Sequence, residues 1–148
     1  MNQINKIIDG LYIGNYNAAL DPNIITSYNI QTIVNCTKKK NRINMNVDYL
    51  QVPIDDPPSI ADTEYVNSNF VPIVTFISNS INNGKNVLVH CIMGAQRSPT
   101  IVAIYLMVKF GVNYQVAIQF IKSKRPICFF GNINYINSLV FIQNQINH

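Results

Sequence analysis

The sequence predicts an α/β protein in which a central, mainly parallel, twisted sheet of four to five strands is flanked by helices. Short apolar segments alternate along the chain with longer segments of helical periodicity, and this alternation is typical of a parallel sheet. One apolar segment, Asn86–His90, is nearly continuous, as expected of a strand that is covered on both faces. A length of 148 residues, 48% of them hydrophobic, predicts one domain over residues 1–148.

The strands are predicted where short apolar segments alternate with period two or end at turn residues. The alternation is clearest in Tyr49–Ile54, where apolar side chains recur at every second position. The predicted strands are Leu11–Ile13, Thr32–Cys36, Tyr49–Ile54 and Asn86–His90.

Helices are predicted in the remaining segments, from apolar residues at helical spacing and from capping residues. The predicted helices run from Val66 to Ile81, from an N-cap at Ser98 to Phe110, from Asn113 to about Lys124 and from Asn132 to the C-terminus. Pro72 is expected to kink or delay the first of them. The second is apolar nearly all round, which predicts a central, buried helix.

Cysteine usage and hydropathy exclude several classes of protein. The three cysteines, Cys36, Cys91 and Cys128, are odd in number and form no CxxC pair, which argues against a disulfide framework and against a zinc site. No run of 18 apolar residues occurs, and residues 1–10 lack the long apolar core of a signal peptide. We therefore expect a cytoplasmic protein without membrane association.

Charge is distributed unevenly along the chain. All seven acidic residues lie in the first 64 positions, whereas residues 65–148 contain only basic charges. The second part of the chain is therefore uniformly positive, which suits an anionic ligand.

The segment VLVHCIMGAQRSP, residues 87–99, carries the strongest indication of function. A buried strand is predicted to end at His90 and a helix to begin near Ser98, so the loop between them lies where open α/β sheets bind their ligands. Its backbone N–H groups and the helix N-terminus would converge on an anion the size of phosphate. The planar fork of Arg97 can hold two phosphate oxygens, and Gly94 permits a tight backbone turn.

Cys91 lies at the base of this predicted anion site. Helix N-termini and nearby cations favour the thiolate form of a cysteine. A thiolate beneath a bound phosphate can attack phosphorus in line with the departing oxygen and form a phosphocysteine, which water then hydrolyses. Because the loop amides and Arg97 would stabilise the equatorial oxygens, neither a metal ion nor another cofactor is expected.

The pattern HCxxGxxRS resembles the signature of the cysteine-based protein tyrosine phosphatases. It is formed by His90, Cys91, Gly94, Arg97 and Ser98. Flanking segments resemble the compact dual-specificity branch of this superfamily, including its small viral type. They are GLYIGN at 10–15, IQTIVN at 30–35, IYLM at 104–107 and KRP at 124–126 followed by Asn132, Tyr135 and Leu139, where the family has phenylalanine at the position of Tyr135. The resemblance covers the chain from about Ile8 to Leu139 and implies the cysteine-based phosphatase fold.

This resemblance implies roles for the matching residues. Cys91 would be the nucleophile and Arg97 would bind the phosphate. His90 would orient the loop and tune the thiolate, and Ser98 would donate a hydrogen bond to the sulfur. The other loop residues would bind phosphate through their backbone N–H groups. These residues are Ile92, Met93, Gly94, Ala95 and Gln96.

The leaving oxygen of a phosphomonoester needs a proton, and no carboxylate side chain follows Glu64 in the sequence. In the family that the motif resembles, the acid is an aspartate after a strand reading I-P-x-x-D. Residues 52–56 match this pattern with Asp56 in the position of the acid. Asp55 is the alternative, and Asp62 and Glu64 are remoter because they resemble residues of a first helical turn.

The activity implied by these features is hydrolysis of phosphotyrosine and of phosphoserine or phosphothreonine in proteins. RNA 5′-phosphates and phosphoinositides are alternative substrates of the same loop, although the loop lacks the extra basic residues that polyanions favour. An inactive phosphate-binding module is a third alternative, which conflicts with the presence of Cys91 and Arg97. We expect phosphorylated proteins as partners rather than nucleic acid, and a monomer rather than a homodimer.

A basic segment, Lys38-Lys39-Lys40 with Arg42, follows the predicted strand Thr32–Cys36. If this strand is parallel to Asn86–His90, the segment lies at the same sheet edge as the phosphate site and could guide acidic phosphopeptides or nucleic acid. The sequence alone favours a solvated loop over this guiding role. Some relatives carry a cysteine near the position of Cys36, which implies a reversible disulfide with the nucleophile as a further hypothesis.

Overall fold

The computed structural model describes residues 2–147. Five strands form one central sheet: β1 (Ile4–Ile8), β2 (Leu11–Gly14), β3 (Ile30–Asn35), β4 (Asp48–Gln51) and β5 (Asn86–His90). Their order in the sheet is β1-β2-β5-β3-β4, and every neighbouring pair except β1-β2 is parallel. The predicted mainly parallel sheet of four to five strands is therefore confirmed.

Six helices cover the two faces of this sheet. They are α1 (Tyr16–Leu20), α2 (Pro22–Ser27), α3 (Ile60–Asn82), α4 (Arg97–Phe110), α5 (Tyr114–Lys124) and α6 (Ile136–Ile146). Alternate residues of β5 pack on opposite sides: Val87 and Val89 join the larger core with α3 to α6, whereas Leu88 joins a smaller core with α1 and α2. This double coverage explains the continuous apolar character of β5. Within residues 2–147, no helix is both long and apolar enough to cross a membrane.

The sequence did not predict β1, and it predicted β4 too long. β1 is an edge strand that pairs antiparallel with β2, and Asp9-Gly10, a common hairpin turn pair, marked the turn between them. The predicted strand Tyr49–Ile54 ends at Gln51 in the structure. Pro53 has no N–H to donate to a neighbouring strand, so regular pairing stops before it.

Helix α3 begins earlier than Val66 and contains Pro72 within its length. Its start is defined by a capping box in which Ser59 and Asp62 exchange side-chain to backbone hydrogen bonds of 3.0 and 3.1 Å. Pro72 lies on the exposed side, and the core contacts of the opposite face keep the helix continuous.

Two predicted N-caps are wrong. Helix α4 begins at Arg97 rather than after Ser98, and its N-cap residue Gln96 makes no side-chain capping bond. Helix α6 begins at Ile136, so Asn132 lies in the preceding loop instead of capping it. The short helices α1 and α2 were not predicted, because five or six residues are too few for a helical pattern.

The sheet topology brings two chain segments to one edge. β3 and β5 are parallel neighbours, and Asn35 pairs in register with His90 at their carboxyl ends. The segments that follow these two strands therefore lie side by side, as the position of the basic segment predicted. Helix α4 is buried from Ser98 to Met107, so the loop between β5 and α4 is supported by buried elements on both sides.

Candidate active site

The loop of residues 91–96, which we call the catalytic loop, is held by its carbonyl groups. Each carbonyl oxygen from Ile92 to Gln96 accepts a hydrogen bond from a donor outside the loop. The Arg125 guanidinium donates to Met93 (3.0 Å) and to Gly94 (2.9 Å). The backbone N–H donors are Tyr16 to Ile92 (2.9 Å), Phe129 to Ala95 (2.8 Å) and Thr100 to Gln96 (3.0 Å). In a planar peptide the N–H of the next residue points the opposite way. The N–H groups of residues 93–97 are therefore directed inward, and none of them donates to an acceptor within residues 2–147.

Gly94 is required for this loop conformation. Its φ angle of +66° lies in the left-handed region, and a Cβ atom there would lie 2.6 Å from the Gly14 carbonyl oxygen. The close approach of strand β2 to the loop thus excludes any side chain at position 94.

Cys91 is the first residue of this loop and follows strand β5 directly. It is buried, and its Sγ atom is 3.2 Å from Ser98 Oγ. Ser98 therefore contacts the sulfur, as the family resemblance implied. Its hydroxyl does not cap helix α4, contrary to what the helical spacing had indicated.

His90 supports the loop from the end of β5. Its Nδ1 atom is 3.2 Å from the Cys91 carbonyl oxygen, and because a carbonyl can only accept, Nδ1 carries the proton in this bond. Burial lowers the pKa of His90 to about 4, so the ring is neutral at physiological pH. The neutral ring, with its proton on Nδ1, thus holds the carbonyl group of Cys91 in place.

Arg97 is the first residue of α4 and follows the loop directly. One terminal nitrogen, Nη1, donates to the Ile54 carbonyl oxygen at 3.1 Å, which ties the arginine to the segment that precedes the candidate acid. Its Nε atom is buried and has no hydrogen-bond partner in the described part of the chain. A buried, unpaired N–H on a cation is costly unless an anion binds it, so this atom points to an anionic ligand at the site.

The carboxylates near the site divide by their partners. Asp55 pairs with Lys38 at 2.8 Å, and Asp62 is engaged in the capping box of α3 and lies 3.6 Å from Lys38. Asp56 is exposed and accepts a hydrogen bond from the Asn134 side-chain amide. Among Asp55, Asp56 and Asp62, only Asp56 has no lysine or arginine partner within residues 2–147. Its carboxylate is therefore accessible for proton transfer.

A short segment before α6 connects Asp56 to the catalytic loop. The Gln96 side chain donates to the Asn132 carbonyl at 2.7 Å and accepts from Asn134 N at 3.1 Å. The buried Tyr135 hydroxyl donates to the Asp55 carbonyl at 2.5 Å. Gln96, Asn134 and Tyr135 thus fix the backbone around Asp56 relative to the loop.

Arg125 is a structural residue that the sequence analysis did not identify. It is 1% exposed, and besides its two loop carbonyls it donates to the Asn2 carbonyl and to Asn5 Oδ1, each at 2.8 Å. Burial lowers the pKa of its guanidinium. Arg125 belongs to the KRP segment at 124–126 that carries the family resemblance, but no local pattern distinguishes a buried arginine from a solvated one.

The two other cysteines flank the loop. Cys36 is fully buried, and its N–H donates to the His90 carbonyl at 2.7 Å; burial raises the pKa of its thiol well above the ordinary value. Burial likewise raises the pKa of Cys128 to about 12. A disulfide between Cys36 and Cys91 stays a prediction, since all three cysteines are free thiols in this structure.

Comparisons with known proteins agree with this geometry. A family model described as "Dual specificity phosphatase, catalytic domain" matches residues 11–145. Mouse dual specificity protein phosphatase 15 is 33% identical over 126 residues, which cover 85% of this chain and 52% of that protein. Tyrosine phosphatase 123R of Invertebrate iridescent virus 6 is 32% identical over 142 residues, covering 96% of this chain and 93% of the viral protein.

A solved structure agrees in fold as well. The crystal structure of DUSP15 matches with a TM-score of 0.83 at 27% identity, over 99% of this chain and 96% of that chain. The chain spans about half the length of the mammalian dual specificity protein phosphatase 15 sequences that it matches.

Replacing Arg125 by lysine should destabilise the protein although the charge is kept. A lysine cannot reproduce the planar fork that bonds Met93 and Gly94 together, so we expect a loss of about 2–3 kcal/mol in the free energy of unfolding, measured in urea. The exposed Lys40→Ala variant serves as the control and should change this free energy by less than about 0.5 kcal/mol. Equal stability of Arg125→Lys and the wild type would show that these bonds do not hold the loop.

Lowering the pH should destabilise the protein, because His90 is buried in its neutral form. The unfolded chain protonates this imidazole below its ordinary pKa of 6.5, whereas the folded protein resists protonation until about pH 4. The contribution of neutral His90 to the free energy of unfolding is complete above pH 6.5 and is lost as the pH falls towards 4. The loss amounts to about 2 kcal/mol between pH 7 and pH 5. Urea unfolding of His90→Gln at both pH values should lack this part of the decrease, and an identical decrease in both proteins would contradict it.

Proposed function

Since the chain belongs to the dual specificity phosphatase family, we propose that it hydrolyses phosphotyrosine and phosphoserine or phosphothreonine in proteins through a phosphocysteine on Cys91. The proposal rests foremost on one observation. The N–H groups of residues 93–97 have no acceptor within residues 2–147, and the buried Nε of Arg97 has no partner there; both belong to the loop and helix start that follow the Cys91 thiol. A phosphoryl group suits these groups because it offers three oxygens to several donors at once.

In the first step, the Cys91 thiolate attacks phosphorus and an S–P bond forms while the bond from phosphorus to the leaving oxygen breaks. The loop N–H groups and Arg97 stabilise the equatorial oxygens during this transfer. Asp56, in its protonated form, donates a proton to the leaving oxygen of the tyrosine, serine or threonine.

In the second step, water attacks the phosphocysteine, and Asp56 accepts a proton from that water. The S–P bond breaks, inorganic phosphate is released and the sulfur leaves as a thiolate. The contact of 3.2 Å between Ser98 Oγ and the sulfur supports a role for Ser98 in stabilising the departing thiolate by a hydrogen bond.

The assignment of the acid to Asp56 is supported by the partners of the two neighbouring carboxylates. Asp55 is bound to Lys38, and its backbone carbonyl is held by Tyr135. Asp56 instead accepts from the neutral amide of Asn134, which can orient the carboxylate without adding a positive charge. Asp56 is therefore the better candidate to alternate between acid and base.

The alternative substrates have less support. The side chains of the loop before Arg97 are neutral, from Ile92 to Gln96, and the loop thus offers one guanidinium for one phosphate. A 5′-triphosphate of RNA or a phosphoinositide carries additional phosphates that would require further cations at the loop. An inactive binding module would not need the close contact between Cys91 and Ser98.

Substitution of Cys91 by serine should abolish the hydrolysis of phenyl phosphate, because a hydroxyl is a much weaker nucleophile than a thiolate in the same cradle. We expect kcat to fall by a factor on the order of 10³ or more, measured by phosphate release. Cys36→Ser and Cys128→Ser are the matched controls and should retain activity. A Cys91→Ser variant with activity near that of the wild type would exclude the phosphocysteine mechanism.

Replacement of Asp56 by asparagine should slow hydrolysis in proportion to the basicity of the leaving group. We expect a loss of about 10²-fold or more for phenyl phosphate and a clearly smaller loss for a nitrophenyl phosphate, whose phenolate leaves without a proton. Steady-state kinetics on a series of substituted phenyl phosphates measures this slope.

Asp55→Asn is the matched control for this series, since Asp55 is the adjacent carboxylate and pairs with Lys38. Its losses should be independent of the leaving group. If the slope changed in Asp55→Asn but not in Asp56→Asn, the acid would be Asp55.

A further inference from the structure

Two tyrosine rings each carry a cation from the basic segment. Lys39 Nζ lies 5.0 Å from the centre of the Tyr16 ring, and the guanidinium carbon of Arg42 lies 4.5 Å from the centre of the Tyr49 ring. A cation over an aromatic face is attracted to it but keeps its full charge. The rings thus hold these two side chains in place without neutralising them.

Tyr16 connects the first of these cations to the active site. Its backbone N–H donates to the Ile92 carbonyl of the catalytic loop, and its ring centre lies 6.2 Å from that of His90. Its hydroxyl accepts a hydrogen bond of 2.7 Å from the Asn41 side chain, which belongs to the same segment as Lys39. Lys39 therefore stands beside the residues that support the phosphate site.

The backbone of the basic segment is also anchored. The Lys39 carbonyl accepts hydrogen bonds from Asn35 at 2.7 Å and from Gln51 at 3.1 Å. Asn35 also donates to the Tyr49 hydroxyl at 2.7 Å, so one buried side chain at the end of β3 fixes both cation-bearing positions. This anchoring argues against a loop whose lysines are merely solvated.

The cations of the basic segment differ in whether a carboxylate neutralises them. Lys38 pairs with Asp55 and lies 3.6 Å from Asp62, so its charge is balanced by the segment around the candidate acid. Neither Lys39 nor Arg42 forms a salt bridge with a carboxylate of residues 2–147. Two fixed and unbalanced cations therefore remain at the edge of the sheet that carries the catalytic loop.

We propose that Lys39, assisted by Arg42, binds a second anionic group of a phosphopeptide substrate while the catalytic loop holds the phosphate to be hydrolysed. The second group is an acidic side chain or a second phosphate, because both present oxygens to an ammonium or a guanidinium. This inference rests on the proposed phosphatase function and defines its substrate class as acidic phosphopeptides.

A peptide fits these two cations better than an RNA strand does. RNA carries a phosphate at every nucleotide and binds through cations that follow its backbone. Here the adjacent Lys38 is already paired, which interrupts such a path. A peptide with one additional anion needs only the cations that are present.

The test uses phosphotyrosine peptides of one sequence that carry alanine, glutamate or phosphothreonine at positions two or three residues to either side. For the wild type, we expect kcat/KM to be about 3- to 5-fold higher for at least one anionic peptide than for the alanine peptide, because a partly exposed ion pair contributes up to about 1 kcal/mol. Comparison of glutamate with phosphothreonine separates the two kinds of anion. The preference should decrease as salt is raised.

In Lys39→Ala this ratio of anionic to alanine peptide should fall to about one, mainly through KM. Lys40→Ala removes an equal charge from the next residue and should keep the ratio of the wild type. An unchanged ratio in Lys39→Ala, or an equal loss in Lys40→Ala, would overturn the assignment to Lys39. A preference for 5′-phosphorylated RNA over all peptides that disappears in Lys39→Ala would overturn the choice of a peptide.

Binding separates this inference from the phosphatase function. In the background of Cys91→Ser, fluorescence polarisation measures the affinity for the same peptides without turnover. Tighter binding of anionic peptides that depends on Lys39 would support the second site even if the wild type released no phosphate, an outcome that would reject the proposed function alone. Hydrolysis of every peptide with equal affinities would reject the second site and leave the proposed function standing.

Discussion

The geometry of the site depends on the outward anchoring of the catalytic-loop carbonyls. Planar peptides turn their N–H groups away from their carbonyls, so bonds to Tyr16, Arg125 and Phe129 on the outside direct the N–H groups to the inside. The donors come from α1, from the end of α5 and from the segment after it. Elements far apart in the sequence thus hold the loop in the conformation in which we propose that it binds phosphate.

A second set of contacts joins Asp56, the proposed acid, to this loop. Gln96 belongs to the loop and binds the backbone of the segment before α6, whose Asn134 contacts Asp56. Arg97 contacts the Ile54 carbonyl from the other direction. Asp56 and Cys91 lie 35 positions apart in the sequence but share these supports, which couples the position of the proposed proton donor to the conformation of the loop.

Local patterns in the sequence predicted the sheet, the buried helix α4 and the cluster of His90, Cys91, Arg97 and Ser98, because strand, loop and helix follow each other there without interruption. Residues that act across long separations were missed. Arg125 resembles any basic residue at a helix end, and Asn134 resembles any loop asparagine. Spacing alone predicted Ser98 as a helix cap, because it cannot distinguish a hydroxyl that caps a helix from one that contacts a thiol, whereas the family resemblance implied the contact with the sulfur.

Detection of the covalent intermediate tests the account most directly, because the inward N–H groups and the buried thiol have a common purpose only if sulfur binds phosphorus. The wild-type protein is mixed with a phosphotyrosine peptide, quenched in acid within milliseconds and digested for mass spectrometry. We expect one phosphoryl group on the peptide that contains Cys91, present during turnover and absent after the substrate is exhausted. A phosphoryl group on another residue would contradict this mechanism. Steady turnover during which neither the wild type nor the Asp56→Asn variant carries a phosphoryl group would also contradict it.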